Sequence, residues 1–195
     1  MNTLDAIAAR RSVRRFERAP VPREQIERLL FAATQAPSGK NLQPWRFVVL
    51  RDEAKASLVG TLLASVRQIR DAGGDVGSSP WSARVMGEAP VVVVVFAQPV
   101  PAELKKWEEG VARVNLQSIG AAIQNLCLAA TDVGLGSLWI ADVLFGQDAI
   151  EAAYARPGET LVAAVAIGWA AEAPPARPRR PLGEIVEWRW DVTSG

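Results

Sequence analysis

The 195-residue chain contains no histidine and a single cysteine, Cys127. The absence of histidine excludes Ser-His-Asp and Cys-His nucleophilic catalysis, a histidine general base and His-ligated zinc. A single cysteine excludes intrachain disulfides, cysteine-rich zinc sites and iron–sulfur clusters held by one chain. The chemistry must therefore come from carboxylates, arginines, backbone amides or a bound organic cofactor.

An excess of charge of one sign is also missing, since 22 Lys and Arg residues face 21 Asp and Glu residues. This balance argues against nucleic acid as the main partner, because proteins that bind it in bulk usually carry a large basic excess. The intensely apolar run from Val91 to Phe96 is far too short to cross a membrane. The first residues lack the apolar stretch of a signal peptide. We therefore expect a cytoplasmic protein with no membrane partner.

Apolar residues make up 49% of the chain and charged residues 22%, which is ordinary for a globular protein. No repeat, low-complexity tract or linker divides it, so one domain over residues 1–195 is expected. Helical and strand patterns alternate and predict an α+β fold. The predicted helices cover residues 3 to about 11, 22–36, a stripe at Val59, Leu62, Leu63 and Val66, 112–133 and 149–155. The predicted strands cover 46–51, 90–97, 137–140 and 160–169, with a loop at 71–80 and an extended segment at 170–181.

The usual nucleotide-binding sequences are absent as well. No GxGxxG follows a predicted strand and no Walker A sequence occurs. The GLGS sequence at residues 134–137 follows a helix and precedes a strand, which is the reverse of a Rossmann turn. Tight binding of NAD by that route is therefore not expected.

Four polar segments could carry chemistry instead. The first, residues 10–16 (RRSVRRF), places Arg10 and Arg14 four positions apart with Ser12 between them, near the predicted end of the first helix. Cations with a hydroxyl donor can bind an anion there, although the charge pattern alone favours a solvated cationic helix end. The second segment, residues 36–45 (APSGKNLQPW), offers hydroxyl and amide groups suited to the edge of a heteroaromatic ring, or is an ordinary turn-rich connection.

The remaining two segments are weaker evidence for a binding site when each is taken alone. Residues 134–142 (GLGSLWIAD) carry glycines that permit close backbone approach, or form a helix cap followed by a strand. Residues 177–181 (RPRRP) present three guanidinium groups on a stiff, proline-rich chain. This segment could bind a phosphate group, or it is a solubilising basic tail.

In this order and spacing, the four segments together resemble the FMN-dependent nitroreductase family. The resemblance runs from RRSVRRF through APSGKNLQPWRF and IGAAIQNLCLAATDVGLGSLWI to RPRRPLGEIV, which is nearly the whole chain. The two N-terminal motifs are the specific ones. The resemblance implies a central, mostly antiparallel sheet flanked by helices, in a homodimer with two FMN sites at the subunit interface. It also implies a C-terminal segment that wraps around the partner subunit.

The family motifs also imply cofactor-binding residues at matching positions of this chain. The N-terminal motif transfers to Arg10, Ser12 and Arg14, with Arg11 adjacent. The phosphate-binding pair transfers to Arg177 and Arg179, with Arg180 as the alternative to Arg179. The loop that reaches the flavin from the other subunit transfers to Pro37, Ser38 and Asn41, with Gln43 nearby. The backbone contacts beside flavin N5 transfer to Ile140 and Ala141.

The resemblance implies that NADH or NADPH delivers hydride to flavin N5, followed by transfer to a small-molecule acceptor such as a nitroaromatic, a quinone or a related conjugated compound. The flavin is then the reactive centre and no side chain is catalytic in its own right. Two alternatives stay open: another flavin reaction on the same fold (dehalogenation, azoline dehydrogenation or flavin fragmentation), and a non-enzymatic flavin-binding or sensory dimer. Trp81, Trp107 and Trp139 are candidates for the acceptor pocket or for the core, whereas Cys127 is interpreted as a small core residue.

Overall fold

The strands of the computed structural model, which describes residues 1–190, form one antiparallel sheet. They are β1 (Trp45–Leu50), β2 (Val91–Ala97), β3 (Leu135–Ile140) and β4 (Thr160–Trp169). Their order across the sheet is β1-β2-β4-β3, and every pair is antiparallel. The helices are α1 (Thr3–Ala9), α2 (Arg23–Thr34), α3 (Asp52–Asp71), α4 (Ser79–Glu88), α5 (Glu108–Asp132) and α6 (Gln147–Tyr154). The predicted α+β fold with a mostly antiparallel sheet is confirmed.

The run of valines in β2 is buried on both faces, as its sequence predicts. Alternate residues of a strand point to opposite faces, so β2 contributes to two cores. Val92, Val94 and Phe96 pack with residues of α3 and α4. Val91, Val93 and Val95 pack with residues of α2 and α5 on the other face. The sheet is therefore a central layer with helices packed on both faces, and β3 lies at one of its edges beside β4.

Several element boundaries differ from the predicted ones. Helix α1 ends at Ala9 rather than near residue 11, because Arg10 leaves the helical conformation at ψ 131°. Asn2 caps its beginning through a hydrogen bond that its side-chain oxygen accepts from the Asp5 amide, at 2.9 Å. Helix α5 begins at Glu108, four residues before the predicted start. The buried stripe of α3 is Leu58, Leu62 and Val66, whereas the predicted Leu63 is 40% exposed.

Helix α4 was not predicted from the sequence. The loop that the glycines and serines predict ends at Ser78, and Pro80 lies in the first turn of the helix. Proline is favoured there because its missing amide would have no helical partner. Gly134, at φ 78°, lies just past the end of α5 as predicted.

The C-terminal segment after β4 is extended, with one short turn at Leu182–Glu184. It carries exposed large apolar side chains, namely Leu182, Ile185, Trp188 and Trp190. Its wrapping around a partner subunit stays a prediction. Among residues 1–190, no helix combines the length and the apolar character needed to cross a lipid bilayer.

Candidate functional site

The N-terminal arginine motif lies alongside strand β3. The Val13 amide donates a hydrogen bond to the Ser137 carbonyl at 3.0 Å, and Ser12 and Ser137 form a parallel bridge. Gly136 permits this approach, because a Cβ atom at that position would lie 2.8 Å from Cγ1 of Val13. The first and third segments of the sequence are therefore in direct contact.

The chain that leaves β4 runs beside the same motif. The Ala171 amide donates to the Arg15 carbonyl at 3.0 Å. The Glu172 carboxylate accepts hydrogen bonds from the backbone amides of Arg14 at 2.6 Å and Arg15 at 3.2 Å. These contacts fix the start of the C-terminal segment against residues that precede it by more than 150 positions.

A cleft of about 340 Å³ opens between the two segments. Its polar lining comes from both ends of the chain, and the other lining residues are small or apolar. The lining residues are Ile7, Ala8, Arg10, Arg11, Ser12, Arg14, Pro174, Pro175, Ala176, Arg177 and Arg179. The structure thus brings together six of the predicted cofactor-binding residues within one chain. Arg180, the alternative to Arg179, does not line this cleft.

The cleft gathers five arginines, and the part of the chain that the structure describes provides no salt-bridge partner for them. Within residues 1–190, none of its five arginines forms a salt bridge with a carboxylate. Glu172 is the nearby acid, and it is engaged by backbone amides. Guanidinium groups keep their charge at all ordinary pH values, so such a cluster favours an anion. The donor set of guanidinium groups and a serine hydroxyl fits a phosphate ester.

Arg11 and Arg14 differ in the contacts that their guanidinium groups make within the chain. The Arg11 guanidinium donates to the carbonyls of Ala8 at 2.6 Å and Arg10 at 2.8 Å. Arg11 therefore provides hydrogen-bond donors for carbonyl groups at the C-terminal end of α1. This is the role of a cationic helix end that the charge pattern alone favours. The Arg14 guanidinium donates to the Ser12 carbonyl at 2.9 Å and lies 5.4 Å from the ring centre of Trp81.

Sequence reasoning did not connect Trp81 with Arg14, because it did not predict α4. Trp81, Trp107 and Trp139 are 45%, 54% and 44% exposed, so none of these candidates is a core residue. Cys127, in contrast, is buried as interpreted, and burial raises the pKa of its thiol despite the opposing effects of Ser137 and Arg10.

The second segment forms a strained loop elsewhere on the chain. Lys40, Asn41 and Gln43 adopt positive φ angles of 54°, 54° and 47°, a region that residues other than glycine rarely enter. The Ser38 hydroxyl accepts a hydrogen bond from the Gln43 amide at 3.1 Å. Strain of this kind concentrates at functional sites.

This loop does not line the arginine cleft of its own chain. It adjoins an apolar cavity of about 490 Å³ whose lining includes Leu42, Leu104, Trp107 and Val111. None of Pro37, Ser38, Asn41 and Gln43 is among the residues that line the arginine cleft.

Ile140 and Ala141 lie at the end of β3, after the residues that contact the arginine motif. The Ile140 side chain is buried and Ala141 is exposed. Neither residue lines the arginine cleft. The next residue, Asp142, accepts hydrogen bonds from the hydroxyls of Ser78 and Ser82, each at 2.6 Å. The end of β3 is thus tied to α4.

The chain is similar in sequence and in fold to known proteins. The sequence model of the nitroreductase family matches residues 7–169. A 5,6-dimethylbenzimidazole synthase from Rhodospirillum rubrum is 31% identical over 198 residues, which cover 96% of this chain and 88% of that protein. An NADH dehydrogenase from Thermus thermophilus is 29% identical over 217 residues, covering 95% of this chain and 97% of that protein. The crystal structure of a Desulfovibrio desulfuricans protein assigned as a nitroreductase, in complex with FMN, is similar with a TM-score of 0.77 and 28% identity; the match covers 98% of this chain and 99% of that one.

Proposed function

Because the chain belongs to the nitroreductase family, we propose that it is an FMN-dependent oxidoreductase. It transfers hydride from NADH or NADPH to a small conjugated acceptor such as a nitroaromatic or a quinone. The observation that carries this proposal is the cleft in which five arginines from both ends of the chain converge without a carboxylate partner among residues 1–190. The likeness to a structure in complex with FMN supports the choice of anion.

The residues of the cleft divide by position. Arg177 and Arg179, on the exposed C-terminal segment, bind the phosphate group, because planar guanidinium groups can contact phosphate oxygens in pairs. Arg10, Ser12 and Arg14 are half-buried and held against β3, so they contact the polar edge of the ring system. Arg11 contributes charge, since its hydrogen bonds go to the end of α1.

When bound, FMN supplies the centre that accepts and donates hydride, at its N5 atom. The chain contributes electrostatic stabilisation of the negative charge that reduction adds to the polar edge of the ring. Arg10 and Arg14 can do this without changing protonation, because a guanidinium stays charged. The backbone of Ile140 and Ala141 orients the N5 side of the ring. No histidine or cysteine is required for any of these roles.

The protein works as a homodimer in which each flavin site is shared. Pro37, Ser38, Asn41 and Gln43 of one subunit complete the site formed by the arginines of the other. Two observations support this proposal: the loop is absent from the lining of the arginine cleft of its own chain, and its backbone is strained.

The visible absorption spectrum of the purified protein tests the proposal directly. It is recorded after incubation with FMN and removal of free cofactor, then again under anaerobic conditions with NADPH and separately with NADH. We expect a flavin band that bleaches and returns on addition of a quinone. No flavin band would refute the cofactor assignment. A band that neither nucleotide bleaches would refute the reductase and favour a flavin-binding or sensory role.

A different flavin reaction is the second candidate. The observation that favours it is the 31% identical relative named as a 5,6-dimethylbenzimidazole synthase. The dimethylated benzene ring in that product name is also part of the flavin ring system, which fits a reaction that consumes the flavin. Chromatography after aerobic incubation of the FMN-loaded protein with NADPH separates the candidates. An oxidoreductase returns FMN intact, whereas a flavin-consuming enzyme yields a new aromatic product.

A further inference from the structure

Trp81 is a large side chain that remains 45% exposed on α4. Its ring faces a cation: the centre of the Arg14 guanidinium lies 5.4 Å from the ring centroid. This distance is within the range at which the negative face of an indole attracts a cation. An exposed tryptophan is therefore paired with one of the arginines of the cleft.

The helix that carries Trp81 is fixed in place by two hydroxyl groups. Ser78 and Ser82, on either side of Trp81 in the sequence, each donate a hydrogen bond of 2.6 Å to the Asp142 carboxylate. Asp142 directly follows the end of β3 and residue Ala141. Hydrogen bonds to a charged acceptor are among the stronger ones, so α4 is firmly anchored beside β3. The indole ring consequently has a defined position relative to the arginine cleft.

Arg14 needs such support because it has few other constraints. Its guanidinium donates to the Ser12 carbonyl at 2.9 Å, and within residues 1–190 it forms no salt bridge. Its backbone amide is held by Glu172 at 2.6 Å, which fixes the main chain but leaves the long side chain its rotamer freedom. Contact with the indole ring reduces that freedom.

We propose that Trp81 is a positioning residue that holds the Arg14 guanidinium toward the flavin edge and so sets the reduction potential of the bound cofactor. This inference rests on the proposed function, since it requires FMN in the arginine cleft. Reduction adds negative charge to the ring, so a cation held firmly beside it favours the reduced form. Loss of the indole frees Arg14 to turn toward solvent, where water screens its charge.

The test compares Trp81→Leu and Trp81→Phe with the unchanged protein, all loaded with FMN. A cation–indole contact at a partly exposed site corresponds to roughly a two- to fivefold effect on affinity. We expect Trp81→Leu to weaken FMN binding by about that factor and to shift the flavin midpoint potential to a more negative value. Trp81→Phe keeps an aromatic face and should give a smaller shift in the same direction. Arg84→Ala, an exposed change on the same helix, is the matched control and should alter neither quantity.

A double-mutant comparison asks whether Trp81 acts through Arg14. In protein that already carries Arg14→Ala, Trp81→Leu should have no further effect on the potential. An equal shift in both backgrounds would overturn the proposal, as would a midpoint potential unchanged by Trp81→Leu in protein that retains FMN. Melting temperatures of the cofactor-free variants check that the fold is intact. Failure of the unchanged protein to bind FMN would refute the proposed function itself, which is a distinct outcome.

Discussion

Gly136 and Val13 pack so closely that no side chain fits between them. A Cβ atom at position 136 would lie 2.8 Å from Cγ1 and 2.9 Å from Cβ of Val13. This contact lets the arginine motif run beside β3, where the Val13 amide donates to the Ser137 carbonyl at 3.0 Å. The glycine at position 136 therefore has a role in forming the cleft that is distinct from helix termination, which belongs to Gly134.

Replacing Gly136 with alanine should push the arginine motif away from β3. We expect a loss of about 1–3 kcal/mol in the free energy of unfolding, typical of overpacking, together with weaker FMN binding. Denaturant unfolding and FMN titration measure the two effects. Gly60→Ala is the matched control, because a Cβ at that helical position meets nothing within 4 Å and should leave stability unchanged or slightly raised. Equal behaviour of the two variants would contradict the role of Gly136.

Removal of Arg10 or Arg14 should weaken FMN binding and make the flavin midpoint potential more negative. Hydrogen bonds from charged donors contribute about 1.5–3 kcal/mol, so each alanine variant is expected to raise the FMN dissociation constant about ten- to a hundredfold. The potential falls because the reduced cofactor, which carries more negative charge, loses more than the oxidised one.

Arg23→Ala controls for the loss of a positive charge in general, since Arg23 lies on the surface of α2 and pairs with Glu27. Fluorescence titration and spectroelectrochemistry give the affinity and the potential. Unchanged values in both the Arg10 and Arg14 variants would mean that this motif does not bind the flavin.

The central strands could be predicted from the sequence because runs of consecutive apolar residues indicate strands that are buried on both faces. Consecutive valines at 91–95 require a strand covered on both faces, and the structure places helices on each side. Helix α4 could not be predicted in this way, since the residues around its beginning are glycine, serine and proline, which favour loops. Missing this helix also concealed the contact between Trp81 and Arg14.

The cleft itself depends on the topology of the sheet. The arginine motif runs beside β3, and β4 is the neighbour of β3 in the sheet. The segment that follows β4 therefore meets the arginine motif, although Arg14 and Glu172 lie 158 positions apart. No spacing or periodicity of a single sequence encodes such a contact. The grouping of arginines 10, 14, 177 and 179 was expected only through the resemblance to a family.

Arg179 and Arg180 should differ in their effect on phosphate recognition. Arg179 lines the cleft, whereas Arg180 does not. We expect Arg179→Ala to weaken FMN binding about tenfold or more while leaving riboflavin binding unchanged, because riboflavin lacks the phosphate. Arg180→Ala, a neighbouring change of the same charge, should affect neither ligand strongly. Parallel titrations with FMN and riboflavin measure this, and an equal loss of both ligands in the Arg179 variant would exclude it as the phosphate contact.

The buried ion pair between Arg46 and Glu159 should make stability depend on acid pH. Arg46 donates to the Glu159 carboxylate at 2.7 Å through Nε and 2.5 Å through Nη2, and the Arg156 amide donates at 2.8 Å. Burial opposes ionisation of this carboxyl, but these hydrogen bonds outweigh it and hold the pKa of Glu159 below its ordinary value.

A lowered pKa in the folded state means that ionised Glu159 stabilises the fold. That contribution is complete above the ordinary glutamate pKa of about 4.3 and is lost as the pH falls through the lower folded-state pKa. Glu159→Gln leaves Arg46 without a counter-ion and should cost about 3 kcal/mol at neutral pH. The difference between the two proteins should shrink on acidification. Denaturant unfolding between pH 3 and 7 tests this, and a difference independent of pH would contradict it. Glu88→Gln, which breaks the exposed pair with Arg84, is the control and should show little effect.

Mixed dimers offer the sharpest test of a shared flavin site. One subunit carries Arg14→Ala with Arg179→Ala, the other carries Ser38→Ala with Asn41→Ala, and each has its own affinity tag. If the site joins the arginines of one subunit to the loop of the other, a dimer of the two variants contains one intact site and one site with all four changes.

Dimers of either variant alone should bind FMN weakly, because every site is then defective. The mixed dimer, purified through both tags, should recover about half of the FMN content of the unchanged dimer, as one intact site in two requires. Recovery of this kind cannot arise if each subunit builds a complete site of its own, since both subunits of the mixed dimer are defective. Weak binding by the mixed dimer, or a monomer in light scattering that still holds FMN, would therefore place the loop outside the flavin site.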